Sequence, residues 1–217
     1  MVEGSLPPAW LEGAWRREGL ATDGGPLVER SDVLWLQVGW YFADLRVPRL
    51  AGDPEAGHLD VAQAFSGRID YQSPRVTWFH DLDTTARPAG HADTATIACR
   101  DGVLLERGDG YLERWRRKVG AMRAMVIQRE APGTGGPSAR IVQVGDHALA
   151  VWDDPAPAGA AMGRRDDHWS VNTTVGVAPA PAVTSTMARV LRVAEDPSGC
   201  LLDGWQVVTR RVKGLTP

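Results

Sequence analysis

Two stretches of this 217-residue chain carry the side chains best suited to chemistry. One is Val76-Thr77-Trp78-Phe79-His80, and the other is Tyr111-Leu112-Glu113-Arg114-Trp115-Arg116-Arg117. Imidazole titrates near neutrality, a carboxylate can orient it or accept its proton, and a phenol or guanidinium can stabilise a developing oxyanion. His80, Tyr111 and Glu113 are therefore the candidate catalytic residues, for acid/base work. Such groups cooperate only if their elements aim them at one place, and a β-strand does this by alternation. In 111–117 the odd positions put Tyr111, Glu113, Trp115 and Arg117 on one face, leaving Arg114 and Arg116 to solvent. Alternation also groups Trp15 with Arg17 and Trp35 with Gln37. It sets Val76, Trp78, His80 and Leu82, as the more apolar and so inward set, against Thr77, Phe79, Asp81 and Asp83. Asp81 and Asp83 are thus expected to point away from His80. In 40–47, Trp40, Phe42, Asp44 and Arg46 oppose Tyr41, Ala43, Leu45 and Val47, and alternation alone leaves open which side is inner. The candidate substrate-binding set is Trp15, Arg17, Trp35, Gln37, Asp44, Arg46, Trp78, Trp115 and Arg117. For Asp44, Arg46, Glu113 and Arg117 the structural alternative is an ion-pair network that fixes strand register.

Almost no stretch shows apolar spacing of three and four residues, whereas period-two segments broken by Gly, Pro and Asp recur throughout. The pattern is all-β. Strands are expected over 13–20, 27–38, 40–47, 62–71, 75–83, 93–99, 102–107, 110–118, 122–130, 139–145, 147–152, 168–177, 187–194 and 203–212. Arg100-Asp101-Gly102, Gly108-Asp109-Gly110 and Gly145-Asp146 read as hairpin turns, so sequential neighbours should pair antiparallel. The stretches 48–60, 84–93, 131–138, 153–167 and 178–186 read as loops, with short helices as alternatives over 59–64 and 184–191. So many antiparallel strands must hide their edges, and closure into a barrel does this while creating a cavity. A single barrel domain over 1–217 is expected, with two small β units, 10–118 and 119–217, as the alternative.

Composition narrows the function. The net charge of -3 offers no pull on nucleic acid or anionic membranes. No apolar run reaches membrane-spanning length, and the N-terminus lacks a secretory pattern, so a cytoplasmic protein is expected. The two cysteines, Cys99 and Cys200, have no CxxC partner and read as free thiols, a lone disulfide being the alternative. Histidines at 58, 80, 91, 147 and 168 form neither HExxH nor His-x-His, so no metal is expected. Gly133-Thr134-Gly135-Gly136-Pro137-Ser138 lacks the lysine of a phosphate loop, and neither Ser138 nor Ser170 sits in a nucleophile elbow. Nine Trp against three Phe and three Tyr supply flat surfaces of the kind that line concave sites.

Gly13-Ala14-Trp15 resembles the Gly-x-Trp signature of lipocalins and related calycin barrels. In those the Trp packs at the barrel floor under an Arg from the last strand, a place Arg210 or Arg211 would fill. Trp15-Arg16-Arg17-Glu18, Trp35-Leu36-Gln37, Phe42-Ala43-Asp44-Leu45-Arg46-Val47-Pro48 and the 111–117 run together resemble a little-characterised group of bacterial lipocalin-like proteins, over roughly the first 120 residues. The resemblance implies a calycin-type β-barrel with an internal ligand cavity and no particular reaction.

Three functions fit these features. The first is a cofactor-independent enzyme that isomerises, cyclises or eliminates on a small hydrophobic or aromatic substrate held close to its reactive shape. The second is a carrier that binds such a molecule unchanged. The third is a haem-binding barrel with His80, His147 or His168 as axial ligand. Several inward polar groups exceed what sequestering an apolar ligand requires, which favours the enzyme. An outer sheet face apolar enough to pair would permit a homodimer.

Overall fold

The period-two segments form fourteen strands in the computed structural model. It describes residues 6–49, 62–85, 87, 91–120, 123–131, 133, 136–153, 158–166, 169–176, 187, 189–191 and 205–212. Eight strands close into an antiparallel barrel in sequence order: β1 (Gly13–Thr22), β2 (Ser31–Val38), β3 (Tyr41–Pro48), β4 (Gln63–Gln72), β5 (Arg75–Asp83), β6 (Ala92–Arg100), β7 (Val103–Arg107) and β8 (Tyr111–Gly120), which returns to β1. The expected hairpins join β6 to β7, β7 to β8 and β10 to β11, with Asp101, Gly102, Gly110 and Gly145 at positive φ. A second sheet has the order β13-β12-β11-β10-β9-β14. Its strands are β9 (Arg123–Glu130), β10 (Pro137–Val144), β11 (His147–Trp152), β12 (Gly159–Arg165), β13 (Trp169–Gly176) and β14 (Trp205–Val212). Among the described residues no helix is long and apolar enough to cross a membrane.

The barrel therefore takes only the strands of 13–120, and the division between sheets falls between Gly120 and Arg123. The two sheets nonetheless share a core. Outward side chains of the barrel, Ala14, Leu36, Val38, Ala43 and Leu45, pack with Val126, Val142, Val144, Leu149 and Val151 of the second sheet. Burial against this layer answers the open question in β3: the apolar Ala43 and Leu45 face the second sheet, so Phe42 and Asp44 face the barrel interior. The other face of the second sheet, including Ile127, Ile141 and Ala161, is covered by Met187, Val190 and Leu191.

Three expectations change, and one helix alternative is contradicted where it is described. Residues 159–165, read as loop, are β12. Its Gly and Ala residues have little strand preference of their own, but pairing on both edges and burial of Ala160 and Ala161 on opposite faces hold it. Residues 187–194, expected as a strand, are helical at the described positions 187 and 189–191. Met187, Val190 and Leu191 stand at helical spacing and all pack on the sheet, in keeping with the helical alternative over 184–191. For the helix alternative at 59–64, Gln63 and Ala64 lie in β4 and 59–61 fall outside the described residues. Finally, β14 pairs with β9 in the second sheet, so Arg210 does not reach Trp15. The guanidinium over the Trp15 ring, 4.7 Å from its centroid, belongs to Arg117 of the last barrel strand.

A β-bulge decides the inner face of β5. Ser66 pairs with Leu82 and Gly67 with His80, which leaves Asp81 unopposed. One extra residue reverses the alternation beyond it. Leu82 consequently turns out into the shared layer, while Asp83 turns in beside His80, contrary to the reading in which Leu82 was inner and Asp83 outer. Gly67 makes this geometry passable: a Cβ there would stand 1.7 Å from the Phe79 carbonyl oxygen. Gly67→Ala should accordingly cost about 2 to 4 kcal/mol in denaturant unfolding; wild-type stability in that variant would contradict the strand packing described.

Candidate active site

Inside the barrel, tryptophans build a floor. Trp35 stacks on Trp15 with centroids 6.1 Å apart and meets Trp78 and Trp115 edge-on at 6.0 and 5.5 Å. Each such contact adds about 0.5–1.5 kcal/mol beyond area burial. The segment before β1 plugs the far end. Trp15 Nε1 donates to the Leu11 carbonyl at 2.8 Å, and Arg117 donates to the Trp10 carbonyl. Trp35 Nε1 donates to Gln37 Oε1, whose amide in turn donates to the Gly39 carbonyl. Above this floor lies a pocket of about 720 Å³.

His80, Tyr111 and Glu113 all line that pocket, as do Trp35, Asp44, Arg46, Trp78 and Trp115. Trp15, Gln37 and Arg117 do not; they belong to the plugged end. Arg17 stands behind the wall. It donates from Nη1 to Glu113 Oε1 at 2.5 Å and from Nε and Nη2 to Glu29 at 2.9 and 3.2 Å. Arg46 pairs with Asp44 at 2.9 Å and lies 3.9 Å from Glu113, with its guanidinium 5.0 Å from the Phe65 centroid. Asp44, Arg46 and Glu113 thus join in an ion-pair network, the structural alternative for them, and it forms the pocket wall. Arg17 holds the place in it expected of Arg117. Arg114 and Arg116 lie outside in ion pairs with Glu18.

The residue that sequence reasoning missed is Glu106. It sits on β7 directly opposite Glu113 on β8, and both are buried. Tyr111 donates its hydroxyl proton to Glu106 Oε1 at 2.9 Å, and Trp115 Nε1 donates to Oε2 at 3.1 Å. Burial first, and then the charge of Glu113, push the Glu106 carboxyl up to about 8, against the opposing hydrogen bond from Tyr111 and the Arg46 cation. The Tyr111 phenol is also pushed upward, by burial and then by the charge of Glu106. Glu106 thus holds a proton more tightly than an ordinary glutamate does. Glu113 Oε2 is buried with no hydrogen-bond partner. The signal was available: a turn centred on Asp109-Gly110 sets residue 106 opposite residue 113.

His80 occupies a second group on the same pocket. Its ring stacks on Phe65, 4.4 Å and 11° apart, and meets His91 edge-on at 5.4 Å. Nδ1 bonds Asp83 Oδ2 at 2.9 Å. Nε2 lies 3.2 Å from Asp93 Oδ2 but off the N–H direction, so it has an ion-pair partner and no hydrogen bond. Burial alone would lower the imidazole pKa, but Asp83 and Asp93 more than offset it and the value is raised. Asp93 is lowered to about 2, chiefly by His80. The two carboxylates thus favour the protonated form of His80. Arg87 lies 3.5 Å from Asp93 and 3.9 Å from Asp83 and completes the group.

These contacts bear on haem. Both nitrogens of His80 face carboxylates, and His147 bonds Asp146 on the second sheet, beside a separate groove and away from the barrel pocket. His168 lies outside the described residues. Among the described residues no group of three or more His, Cys, Asp or Glu could hold a metal ion.

Glu106 and His80 each bind a proton more tightly folded than unfolded, so their contribution to stability is present at low pH and lost as pH rises through the raised values. Asp83 and Asp93, both lowered, act oppositely and lose their contribution only at strongly acid pH. Tm should fall between about pH 4.5 and about pH 8, the interval set by Glu106, and Glu106→Gln should flatten the decline there. An unchanged slope in the variant would show that Glu106 is not protonated in the fold.

No family model, no curated protein and no solved structure matches this chain.

Proposed function

We propose that the protein is a cofactor-independent enzyme that moves a proton on a small hydrophobic or aromatic molecule, in an isomerisation, cyclisation or elimination. The observation that carries this reading is the pair of buried carboxyl groups facing each other in an aromatic pocket, Glu106 bonded by Tyr111 and Trp115 and Glu113 by Arg17. Two carboxyls whose environments drive them apart are suited to opposite roles. Glu106 is the acid and delivers its proton to the substrate. Glu113, with Oε2 unmet, is the base and removes one. For an isomerisation the proton balance closes, because transfer from Glu113 back to Glu106 restores the starting state. His80, whose protonated form Asp83 and Asp93 favour and whose Nε2 makes no hydrogen bond, stabilises negative charge that develops on a substrate oxygen. Trp35, Trp78 and Trp115 supply the apolar walls.

The lipocalin-like reading is part of this proposal. It is supported by eight antiparallel strands closed in sequence order, by Gly13-Ala14-Trp15 on the first, and by Arg117 of the last over Trp15. A carrier of the same molecule is the alternative that the following experiment separates.

Native mass spectrometry of freshly purified protein identifies a retained small molecule, which is then incubated with the protein in deuterium oxide. The enzyme reading expects deuterium to enter the molecule or a product to form, with both lost in Glu106→Gln and Glu113→Gln while Trp fluorescence still reports binding. Recovery of the molecule unexchanged and unaltered with wild-type protein would establish the carrier instead.

A further inference from the structure

The layer between barrel and second sheet is built from Ala, Val and Leu, yet one guanidinium is buried in it. Arg140 of β10 is 1% exposed. Nη2 donates to Asp81 Oδ2 at 2.8 Å, Nη1 to Ser66 Oγ at 3.4 Å, and Nε and Nη2 to Gln128 Oε1 at 3.1 and 2.7 Å. The guanidinium also lies 5.0 Å from the Tyr41 centroid. A buried ion pair of this kind is often matched or bettered in stability by apolar side chains of similar volume, so stability alone does not account for it.

Its position does. Asp81 is the unopposed residue of the β5 bulge, and Ser66 is the residue of β4 at which the register shifts. Arg140 therefore holds both strands of the bulge from outside the barrel. Arg68, largely exposed, lies 3.5 Å from the same Asp81 oxygen. Inside the barrel, the bulge turns Asp83 toward His80. Without the extra residue, alternation would put Leu82 at the inner face and Asp83 at the outer one. The backbone N–H and hydroxyl of Thr85 donate to Asp83 Oδ1 and set its rotation once it points inward.

We propose that Arg140 is a positioning residue: by clamping Asp81 and Ser66 it fixes the bulge that seats Asp83 against His80. The second sheet thereby governs the pocket's histidine from the opposite side of a strand. The geometric claim stands without a reaction, and its consequence for turnover rests on the enzyme reading above.

Ligand-free protein tests it, through the titration of the His80 ring followed by NMR and assigned against His80→Ala. Around His80 stand Asp83 on β5, Asp93 on β6, His91 and Arg87, with the Phe65 and Phe42 rings on β4 and β3. The informative variant is the double substitution Arg140→Leu with Asp81→Leu. It removes one charge of each sign, so direct Coulomb effects on His80 largely cancel, and it keeps the layer packed. The expected result is a folded protein whose His80 midpoint drops by about one pH unit as Asp83 loses its grip. Arg140→Lys, which keeps a cation on Asp81, should preserve most of the wild-type midpoint. Arg140→Met adds a sign test: loss of a cation would by itself raise the His80 midpoint, whereas a released Asp83 lowers it. A wild-type midpoint in the folded double variant overturns the proposal. Because these readings need no substrate, their failure would leave the enzyme reading standing, and failure of that reading would leave them intact.

Discussion

Two carboxyl groups that face each other across one pair of strands, inside a closed barrel, cannot both carry charge without support. Cross-strand neighbours stand only about 4.5–5.5 Å apart at Cβ, and little water screens them at this depth. Arg17 resolves the conflict on one side by binding Glu113, and Arg17 is itself held by Glu29. On the other side burial and the charge of Glu113 raise the Glu106 carboxyl, while Tyr111 and Trp115 donate to its two oxygens. The tryptophan floor follows from the same constraint, since aromatic walls exclude water and so sharpen the difference between the two acids. Arg46 ties the pair to the rest of the pocket through Asp44 and the Phe65 ring.

The His80 group obeys a different rule. Here bases are matched to acids: the His80 ring and Arg87 face Asp83 and Asp93. That match depends on Asp83 pointing inward, which regular alternation would forbid. A bulge supplies the exception, Gly67 leaves space for it, and the second sheet stands against it from outside. The second sheet thus closes an apolar layer and also touches the one irregularity on which the histidine depends.

Much of this was readable in the residues. Alternation in 111–117 identified the inner face that carries Tyr111, Glu113 and Trp115, and the hairpin signals set the strand order. Three things were hidden for physical reasons. A bulge leaves no mark in a period-two pattern, so the partner of His80 was assigned to the wrong face. A strand of Gly and Ala such as β12 takes its conformation from its neighbours and not from its own preferences. Trp15, Gln37 and Arg117 share the inner face with the pocket residues, and only the depth along the barrel axis separates plug from pocket. Glu106 was a different case, since the turn at Asp109-Gly110 already implied its pairing with Glu113.

The state of the Glu106 carboxyl tests the account most directly. With glutamate labelled at the side-chain carboxyl carbon and Glu106 assigned through Glu106→Gln, its NMR shift can be followed across pH in the ligand-free protein. The account predicts a carboxyl that remains protonated at neutral pH and titrates at about 8. A carboxyl already ionised at mildly acid pH, with the midpoint of an ordinary glutamate, would contradict it.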